Sequence, residues 1–225
     1  MDFNIILIVI DIVVILFAVS IHEASHGYAA YRFGDPTPEV QGRLTLNPIA
    51  HLDLVGSIII PFFLVISHLP VFGWAKPVMI DPRNFKGDYN QVRKKTAWVA
   101  LAGPGSNFIV AIVSGLLLRL IFLSNPQIKY FVYTRTNISS SPLVGLAFIL
   151  FELFVINTFL GLFNLIPIPP LDGGNIVSGF LPPKAAYTFD KIRPFGFFIL
   201  LILLFTNLYS YFIMPVFKLF LIIPG

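Results

Sequence analysis

The first 26 residues, MDFNIILIVIDIVVILFAVSIHEASH, are almost wholly apolar until two histidines and a glutamate appear together at the end of the stretch. An apolar run of about 20 residues is long enough to cross a membrane as a helix. Ionisable side chains inside such a helix are costly to bury and usually serve a function. The sequence therefore predicts a helix over residues 3–33, closed by Gly34-Asp35-Pro36, with a functional site near its end.

The spacing of these polar residues is typical of a metal site. On a helix, positions i and i+4 share a face, so His22 and His26 can reach one metal ion, with Glu23 beside them. This H-E-x-x-H pattern occurs in zinc hydrolases, where two imidazoles bind the metal and the glutamate takes a proton from the water on it. The competing interpretation is a buried polar cluster that ties helices together, which the cost of burial in a membrane disfavours.

The composition of the whole chain is that of a membrane protein. Of its 225 residues, 56% are hydrophobic and only 12% are charged, whereas soluble domains carry about a quarter charged residues. We expect residues 1–225 to form a single membrane-embedded domain in a lipid bilayer. The net charge of +4 requires no nucleic acid as partner, because lysine and arginine mark the cytoplasmic loops of membrane proteins. The absence of cysteine leaves nitrogen and oxygen atoms as metal ligands.

The expected fold class is an all-α polytopic membrane protein with about five to six membrane-inserted segments and a small membrane-associated β element between the first two. After the first helix, further helices are predicted at about 95–123 and about 142–166. The last apolar region, 195–223, is predicted to be either one long helix or two short ones broken near Asn207 and Pro215.

The β element is predicted from an alternating pattern. Apolar and polar residues alternate along EVQGRLTL, residues 39–46, which indicates a short strand. Residues 74–80 are a candidate second strand, which Pro77 would confine to an edge. The free edge of the first strand can receive an extended peptide by strand addition, or the two strands can simply pair with each other.

Residues 54–73 are apolar enough to enter the membrane, but prolines at positions 61 and 70 interrupt them. Basic residues flank the segment on both sides, among them Arg43 before it and Lys86 after it. Both groups lie in the cytoplasm only if the chain returns to the side from which it entered. We therefore expect a re-entrant hairpin, whose non-helical backbone must be covered by protein or water.

A catalytic zinc site needs a third protein ligand besides the two histidines. Asp172, in the sequence PPLDGG, ranks first on chemistry and Glu152, within an apolar helix, ranks second. The competing interpretation of Asp172 is the N-cap of a helix that begins near Gly173. The remaining histidines, His51 and His68, are interpreted as interfacial residues.

Three motifs together resemble the site-2 protease family of intramembrane zinc metalloproteases. They are HEASH on the first helix, AGPGSN at 102–107 and NLIPIPPLDGG at 164–174, in the order found in that family. The resemblance extends from residue 1 to about residue 180. It implies that the second motif, through Gly103 and Asn107, shapes the packing around the active-site helices.

The resemblance also implies roles for individual residues. Zinc, one ion per chain, is expected on His22, His26 and Asp172, and Glu23 is expected to be the catalytic base. Asn164, eight residues before the aspartate, is expected beside the site, where its amide can stabilise the oxyanion.

The implied function is hydrolysis of peptide bonds within or near transmembrane segments of membrane proteins. The expected location is the cell membrane, with several membrane crossings and an active site that opens towards the cytoplasm. The resemblance is to the minimal form of the family, without PDZ or CBS domains. The alternative function is a membrane transporter, or a scaffold that binds membrane helices, with a metal site that is not catalytic. In a transporter, Glu23 could be replaced by glutamine without loss of function.

Overall fold

The computed structural model of the chain describes residues 5–67, 74–138 and 141–225. Three short 3₁₀ helices connect longer elements, at Pro48–His51, Pro82–Asn84 and Arg193–Phe195. A π-helical stretch at Leu54–Ile59 directly precedes the third α-helix. The α-helices are α1 (Ile5–Arg32), α2 (Thr37–Val40), α3 (Ile60–Ile66), α4 (Tyr89–Ser124), α5 (Pro126–Thr134), α6 (Pro142–Asn164), α7 (Asp172–Phe180), α8 (Pro183–Asp190), α9 (Gly196–Phe205) and α10 (Tyr209–Phe220).

Three of these helices, α1, α4 and α6, are long and apolar enough to cross a membrane. The stretch Pro183–Phe205 and the following helix α10 are bent by 69° relative to each other and give a fourth candidate if they count as one span. The described residues therefore supply three or four spans by length and composition, fewer than the five or six membrane-inserted segments expected from the sequence.

Helix α1 confirms the first predicted helix almost to the residue. Its 28 residues extend over about 42 Å, longer than the hydrocarbon core of a bilayer. The helix ends at Arg32, and Gly34, two residues later, has a φ of 103°, which glycine favours. The HEASH residues lie roughly 25 Å along the axis from Ile5, towards one end of the span.

Helix α4 lies at the centre of the fold and packs against α1, α6 and α7. It begins at a capping box in which the Asp88 carboxylate accepts from the Gln91 amide while the Gln91 side chain accepts from the Asp88 amide. Pro104 lies inside this helix and is fully buried. At one end, α4 shares a hydrophobic core with α5 and α6 around Leu118, Val132 and Ala147.

The predicted β element is wrong for the described residues, none of which forms a strand. In the sequence Pro36-Thr37-Pro38, proline occupies the first turn of α2, where its missing N–H is not needed. The chain then turns at Gly42, with a φ of 65°. Local hydrogen bonds, such as that from the Arg43 amide to the Pro38 carbonyl (2.9 Å), satisfy this backbone in place of a ladder. Strand addition to residues 39–46 consequently loses its basis.

The expected hairpin begins with the π-helical stretch and α3, of 6 and 7 residues, and the change between them falls next to Pro61. Together they extend over about 20 Å, too short to cross a bilayer. Beyond residues 68–73, which include His68 and Pro70 and lie outside the described residues, the chain is beside the start of this segment again. The Trp74 amide donates to the Gly56 carbonyl (3.1 Å).

The C-terminal region forms two helices, which confirms one of the two predicted alternatives. The break lies at residues 206–208, where Asn207 has a φ of 55°. Pro215 lies within α10 and does not interrupt it. Helix α5, between two of the spans, was not predicted from the sequence.

Candidate active site

Two histidines of α1 and the first residue of α7 converge in the interior of the fold. The Oδ2 atom of Asp172 lies 3.1 Å from Nε2 of His22 and 3.2 Å from Nε2 of His26. The two Nε2 atoms are 3.1 Å apart. Leu171, and not Asp172, is the N-cap of α7, so the capping interpretation of the aspartate is wrong. The geometry thus brings together three residues that the sequence singled out as metal ligands.

The position of Asp172 depends on the two glycines that follow it. A Cβ atom on Gly173 would lie 2.6 Å from the carbonyl carbon of Leu165. A Cβ atom on Gly174 would lie 2.6 Å from the backbone nitrogen of Pro169. No side chain fits at either position, because the start of α7 rests directly on the backbone that leaves α6. The two glycines of LDGG therefore allow the start of α7 to lie where the Asp172 carboxylate reaches the histidines of α1.

A chain of hydrogen bonds fixes the tautomer of His22. The Asn107 amide nitrogen donates to the Ala18 carbonyl (3.1 Å) and to Oδ1 of Asn157 (2.8 Å). Both of these partners are carbonyl oxygens, which can only accept, so the atom of Asn107 that faces them must be its nitrogen. Its Oδ1 atom, 2.6 Å from Nδ1 of His22, must then accept from that nitrogen. His22 therefore carries its proton on Nδ1.

The second histidine is fixed by the backbone of α4. Nδ1 of His26 lies 2.7 Å from the carbonyl oxygen of Val99, which can only accept. In the neutral form, His26 also carries its proton on Nδ1. Outer hydrogen bonds of this kind commonly orient metal-binding histidines and leave the other nitrogen free for the metal.

With both histidines in this neutral form, three ligand atoms converge with no proton between them. Both neutral imidazoles direct Nε2 lone pairs to the same point, and Oδ2 of Asp172 is buried with no hydrogen-bond partner among the described residues. The ligand atoms of His22, His26 and Asp172 all lie within 4.8 Å of one another. Ligand atoms this close together can share one metal ion, and a set of two imidazoles with one carboxylate suits zinc. The residues present therefore fit a catalytic zinc ion.

Helix α4 lies against these ligands at a glycine. A Cβ atom on Gly103 would lie 2.7 Å from Nε2 of His22, and it would also collide with the ring of His26. A Cβ atom on Gly105, two residues later, would meet nothing within 4 Å. The first glycine of the AGPGSN motif thus leaves the space into which the imidazoles reach.

Glu23 lies beside the cluster and is held by the extended segment 74–80. One of its carboxylate oxygens, Oε2, accepts a hydrogen bond from the backbone amide of Val78 (2.9 Å). Gly27, one turn further along α1, lies in a crowded position: a Cβ there would be 3.1 Å from Leu44, 3.2 Å from Pro38 and 3.4 Å from Val78. No described residue donates to the other oxygen, Oε1.

A buried aspartate ties the segment that holds Glu23 to the end of α1. Asp35, fully buried, accepts from the amide of Asp81 (2.7 Å), the side chain of Asn84 (2.7 Å) and the amide of Thr37 (3.0 Å). Burial alone would raise the pKa of the Asp35 carboxyl, but these hydrogen bonds stabilise the charged form and hold the pKa below its ordinary value.

The other candidate residues lie elsewhere or make other contacts. Glu152, ranked second as third ligand, pairs with Arg135 (3.1 Å), which also pairs with Asp11 (2.8 Å). The side-chain amide of Asn164 donates to the Leu160 carbonyl of its own helix (3.0 Å). Among the described residues, no other three histidine or carboxylate side chains bring their ligand atoms as close together as His22, His26 and Asp172 do.

Sequence reasoning missed three groups that hold the site. Asn157, fully buried in an apolar helix, orients Asn107. Its polarity within a predicted membrane span was a usable signal. The carbonyl of Val99 and the amide of Val78 gave none, because every residue except proline carries both groups.

Comparisons with known proteins agree with the motifs. Peptidase family M50 matches residues 10–206. A protein of Bacillus subtilis strain 168 named "Putative zinc metalloprotease YwhC" is 36% identical over 204 residues, which are 91% of this chain and 84% of that protein.

More distant relatives carry the same designation with the name Rip2. The protein of Mycolicibacterium smegmatis is 30% identical over 191 residues, and that of Mycobacterium tuberculosis strain H37Rv is 27% identical over 190 residues. These alignments cover 85% and 84% of this chain but only 64% and 63% of the two relatives. No solved structure matches the chain. The chain belongs to peptidase family M50, the site-2 protease family of intramembrane zinc metalloproteases.

Proposed function

We propose that this chain hydrolyses peptide bonds within or beside transmembrane segments of membrane proteins, with zinc bound by His22, His26 and Asp172. The observation that supports the proposal is that Nε2 of His22, Nε2 of His26 and the buried Oδ2 of Asp172 converge at one point. Three protein ligands leave a fourth position of a tetrahedral zinc for water or substrate, as catalytic zinc sites do. Family membership supports the reaction class.

When bound, zinc supplies a Lewis acid that polarises the scissile carbonyl and acidifies a water molecule. Glu23 then acts as the base that takes a proton from the attacking water and delivers it to the leaving nitrogen. The hydrogen bond from Val78 to Oε2 anchors the carboxylate, and Oε1 remains available to the water. The extended segment 74–80 is thus a positioning element for the base.

Asn164 is proposed as a donor to the substrate carbonyl. Its amide nitrogen gives one hydrogen to Leu160 and retains a second, and it stands at the last turn of α6, before the loop that leads to Asp172. Loss of such a donor typically weakens transition-state binding by about 3 kcal/mol.

The proposed topology includes a re-entrant hairpin at residues 54–73. The contact between Trp74 and Gly56 supports it, because both ends of the segment lie side by side. Three spans, this hairpin, and the bent C-terminal pair counted as one or two segments give five or six membrane-inserted segments within one domain of residues 1–225. With the basic residues around Arg43 and Lys86 in the cytoplasm, the active site opens to that side of the cell membrane.

The test is proteolysis by purified chain reconstituted in vesicles with a peptide that carries one membrane span. We expect Glu23→Gln to retain zinc and abolish cleavage, because an amide cannot accept the proton. Asp172→Ala should lose both zinc and cleavage. Glu39→Gln, the same change at an exposed glutamate of α2, is the control and should behave as wild type.

Each outcome discriminates between functions and ligands. Substantial cleavage by Glu23→Gln at unchanged zinc content would reject Glu23 as the base. A metal site without any proteolysis in the wild type would favour the transporter or scaffold. Zinc at full occupancy in Asp172→Ala would reject Asp172 as third ligand and return attention to Glu152.

A further inference from the structure

We propose that a basic cavity next to the segment 74–80 binds the phosphate of an anionic membrane phospholipid. This pocket has a volume of about 500 Å³. Its lining residues are Gln41, Arg43, Lys76, Pro77 and Met79. It is separate from the two histidines and the aspartate of the catalytic cluster, none of which lines it.

The pocket contains a buried cation, Arg43, that has no acidic partner in the described part of the chain. Arg43 is only 6% exposed, and its guanidinium donates to the Ala50 carbonyl. No carboxylate among the described residues forms an ion pair with it. Three other described arginines also lack an acidic partner, but Arg93 is half-buried and Arg32 and Arg119 are exposed, whereas Arg43 is buried. A guanidinium has five N–H donors, and buried charges are normally paired. An anion in the cavity would supply the missing partner.

The other polar residues that line the pocket, Lys76 and Gln41, also suit an anion. Lys76 brings a second positive charge, and its ammonium has no acidic partner among the described residues. Its position is fixed by the backbone, because the Lys76 amide donates to the His51 carbonyl (2.9 Å). The Gln41 side chain adds a neutral donor. One guanidinium, one ammonium and one amide together match the several acceptor oxygens of a phosphate.

The surface next to the pocket is apolar, which favours a membrane lipid as the source of the phosphate. Apolar side chains are strongly exposed here: Val40 by 83%, Ile49 by 75% and Met79 by 63%. Two exposed tyrosines on the last turns of α1, Tyr28 and Tyr31, mark the end of the span; neither lines this pocket, and Tyr28 lines a separate cavity. Exposed apolar and aromatic residues next to cations are typical of the membrane interface, where lipid phosphates lie.

The lipid class follows from the charges. A zwitterionic headgroup carries its own ammonium, which Lys76 would repel, whereas an anionic headgroup such as phosphatidylglycerol brings no competing cation. Bound there, the lipid contacts Pro77 and Met79, the neighbours of the Val78 amide that holds Glu23.

The experiment is native mass spectrometry of the full chain in detergent, titrated with short-chain phosphatidylglycerol, short-chain phosphatidylcholine or inorganic phosphate. We expect one molecule of phosphatidylglycerol to bind with the highest affinity. Arg43→Gln or Lys76→Gln should weaken this binding by about tenfold or more, since a single charge-assisted hydrogen bond suffices for that factor. Lys76 is exposed, so its replacement leaves the fold intact.

The matched control is Arg83→Gln, which removes a nearby cation whose partner is Asp81 and should leave lipid binding unchanged. Equal binding of phosphatidylglycerol by wild type and Lys76→Gln would overturn the proposal. Inorganic phosphate bound as tightly as the lipid would assign the pocket to a soluble anion instead. Unchanged lipid binding, together with a raised KM only for acidic peptides in the Lys76 variant, would assign it to substrate carboxylates.

Discussion

Nδ1 of His22 lies 2.6 Å from Oδ1 of Asn107, so a side chain of α4 determines that Nε2 of this histidine faces His26 and Asp172. The proton stays on Nδ1 because the Asn107 amide is itself oriented by a backbone carbonyl and by Asn157. Asn107, the last residue of the AGPGSN motif, therefore does more than fill space between helices. It leaves the Nε2 lone pair of His22, a proposed zinc ligand, free of a proton.

We predict that Asn107→Ala weakens zinc binding by about 10- to 100-fold, the usual effect of losing an outer partner of a metal-binding histidine. The measurement is the zinc affinity of purified protein in competition with a chelator. Asn90→Ala, the same change on an exposed turn at the start of α4, should bind zinc as the wild type does. Wild-type affinity in Asn107→Ala would show that Val99 and the protein matrix suffice to orient the ligands.

A second prediction concerns the glycine on which the imidazoles rest. Gly103→Ala should lower zinc occupancy strongly, because the new methyl group would occupy the space of the Nε2 atoms. Gly105→Ala, two residues along the same helix, meets nothing within 4 Å and should retain zinc. The measurement is zinc content after identical purification. Equal zinc in both variants would mean that α4 can move away from α1 without disturbing the site.

The i, i+4 spacing on one helix predicted that His22 and His26 lie together, because that signal is local. Local sequence left Asp172 between a ligand and an N-cap, and the resemblance to the site-2 protease family favoured the ligand. Neither spacing nor periodicity indicates which backbone carbonyl or amide reaches a side chain. The contacts of His26 with Val99 and of Glu23 with Val78 emerge only when distant segments pack.

The β element failed for a different reason. Alternating polarity at residues 39–46 favoured a strand, but Pro38 sets φ for a helical turn and Gly42 ends it. Turn chemistry therefore outweighed the alternating pattern, although that pattern is as long as an ordinary strand. Helix α5 was missed because, with 9 residues, it is too short to stand out by periodicity.

The third prediction concerns Asp35 and acid stability. We expect Asp35→Asn to destabilise the protein at neutral pH by about 1–3 kcal/mol, since asparagine keeps only one acceptor oxygen, and its NH2 group would face either the Asp81 amide or the Asn84 and Thr37 donors. The measurement is the thermal unfolding midpoint in detergent as a function of pH.

The sign of the pH effect follows from the lowered pKa of Asp35. The carboxylate contributes fully above the unfolded-state value of 3.8, and its contribution is lost as the pH falls below that value towards the folded-state pKa. The gap between wild type and Asp35→Asn should therefore be wide at neutral pH and narrow in acid. Comparing the two proteins cancels the protonation of the metal ligands, which both share. A gap that is constant with pH would refute the electrostatic explanation.

The last prediction concerns the topology of residues 54–73. If the segment is a re-entrant hairpin, residues before and after it lie on the same side of the membrane. The chain contains no cysteine, so single cysteines report their own position without background. Gln41→Cys and Lys86→Cys both introduce a thiol at an exposed position. In sealed vesicles of known orientation, an impermeant maleimide should label both from the same side. Labelling from opposite sides would show that the segment crosses the bilayer, and the contact of Trp74 with Gly56 could then not persist in the membrane.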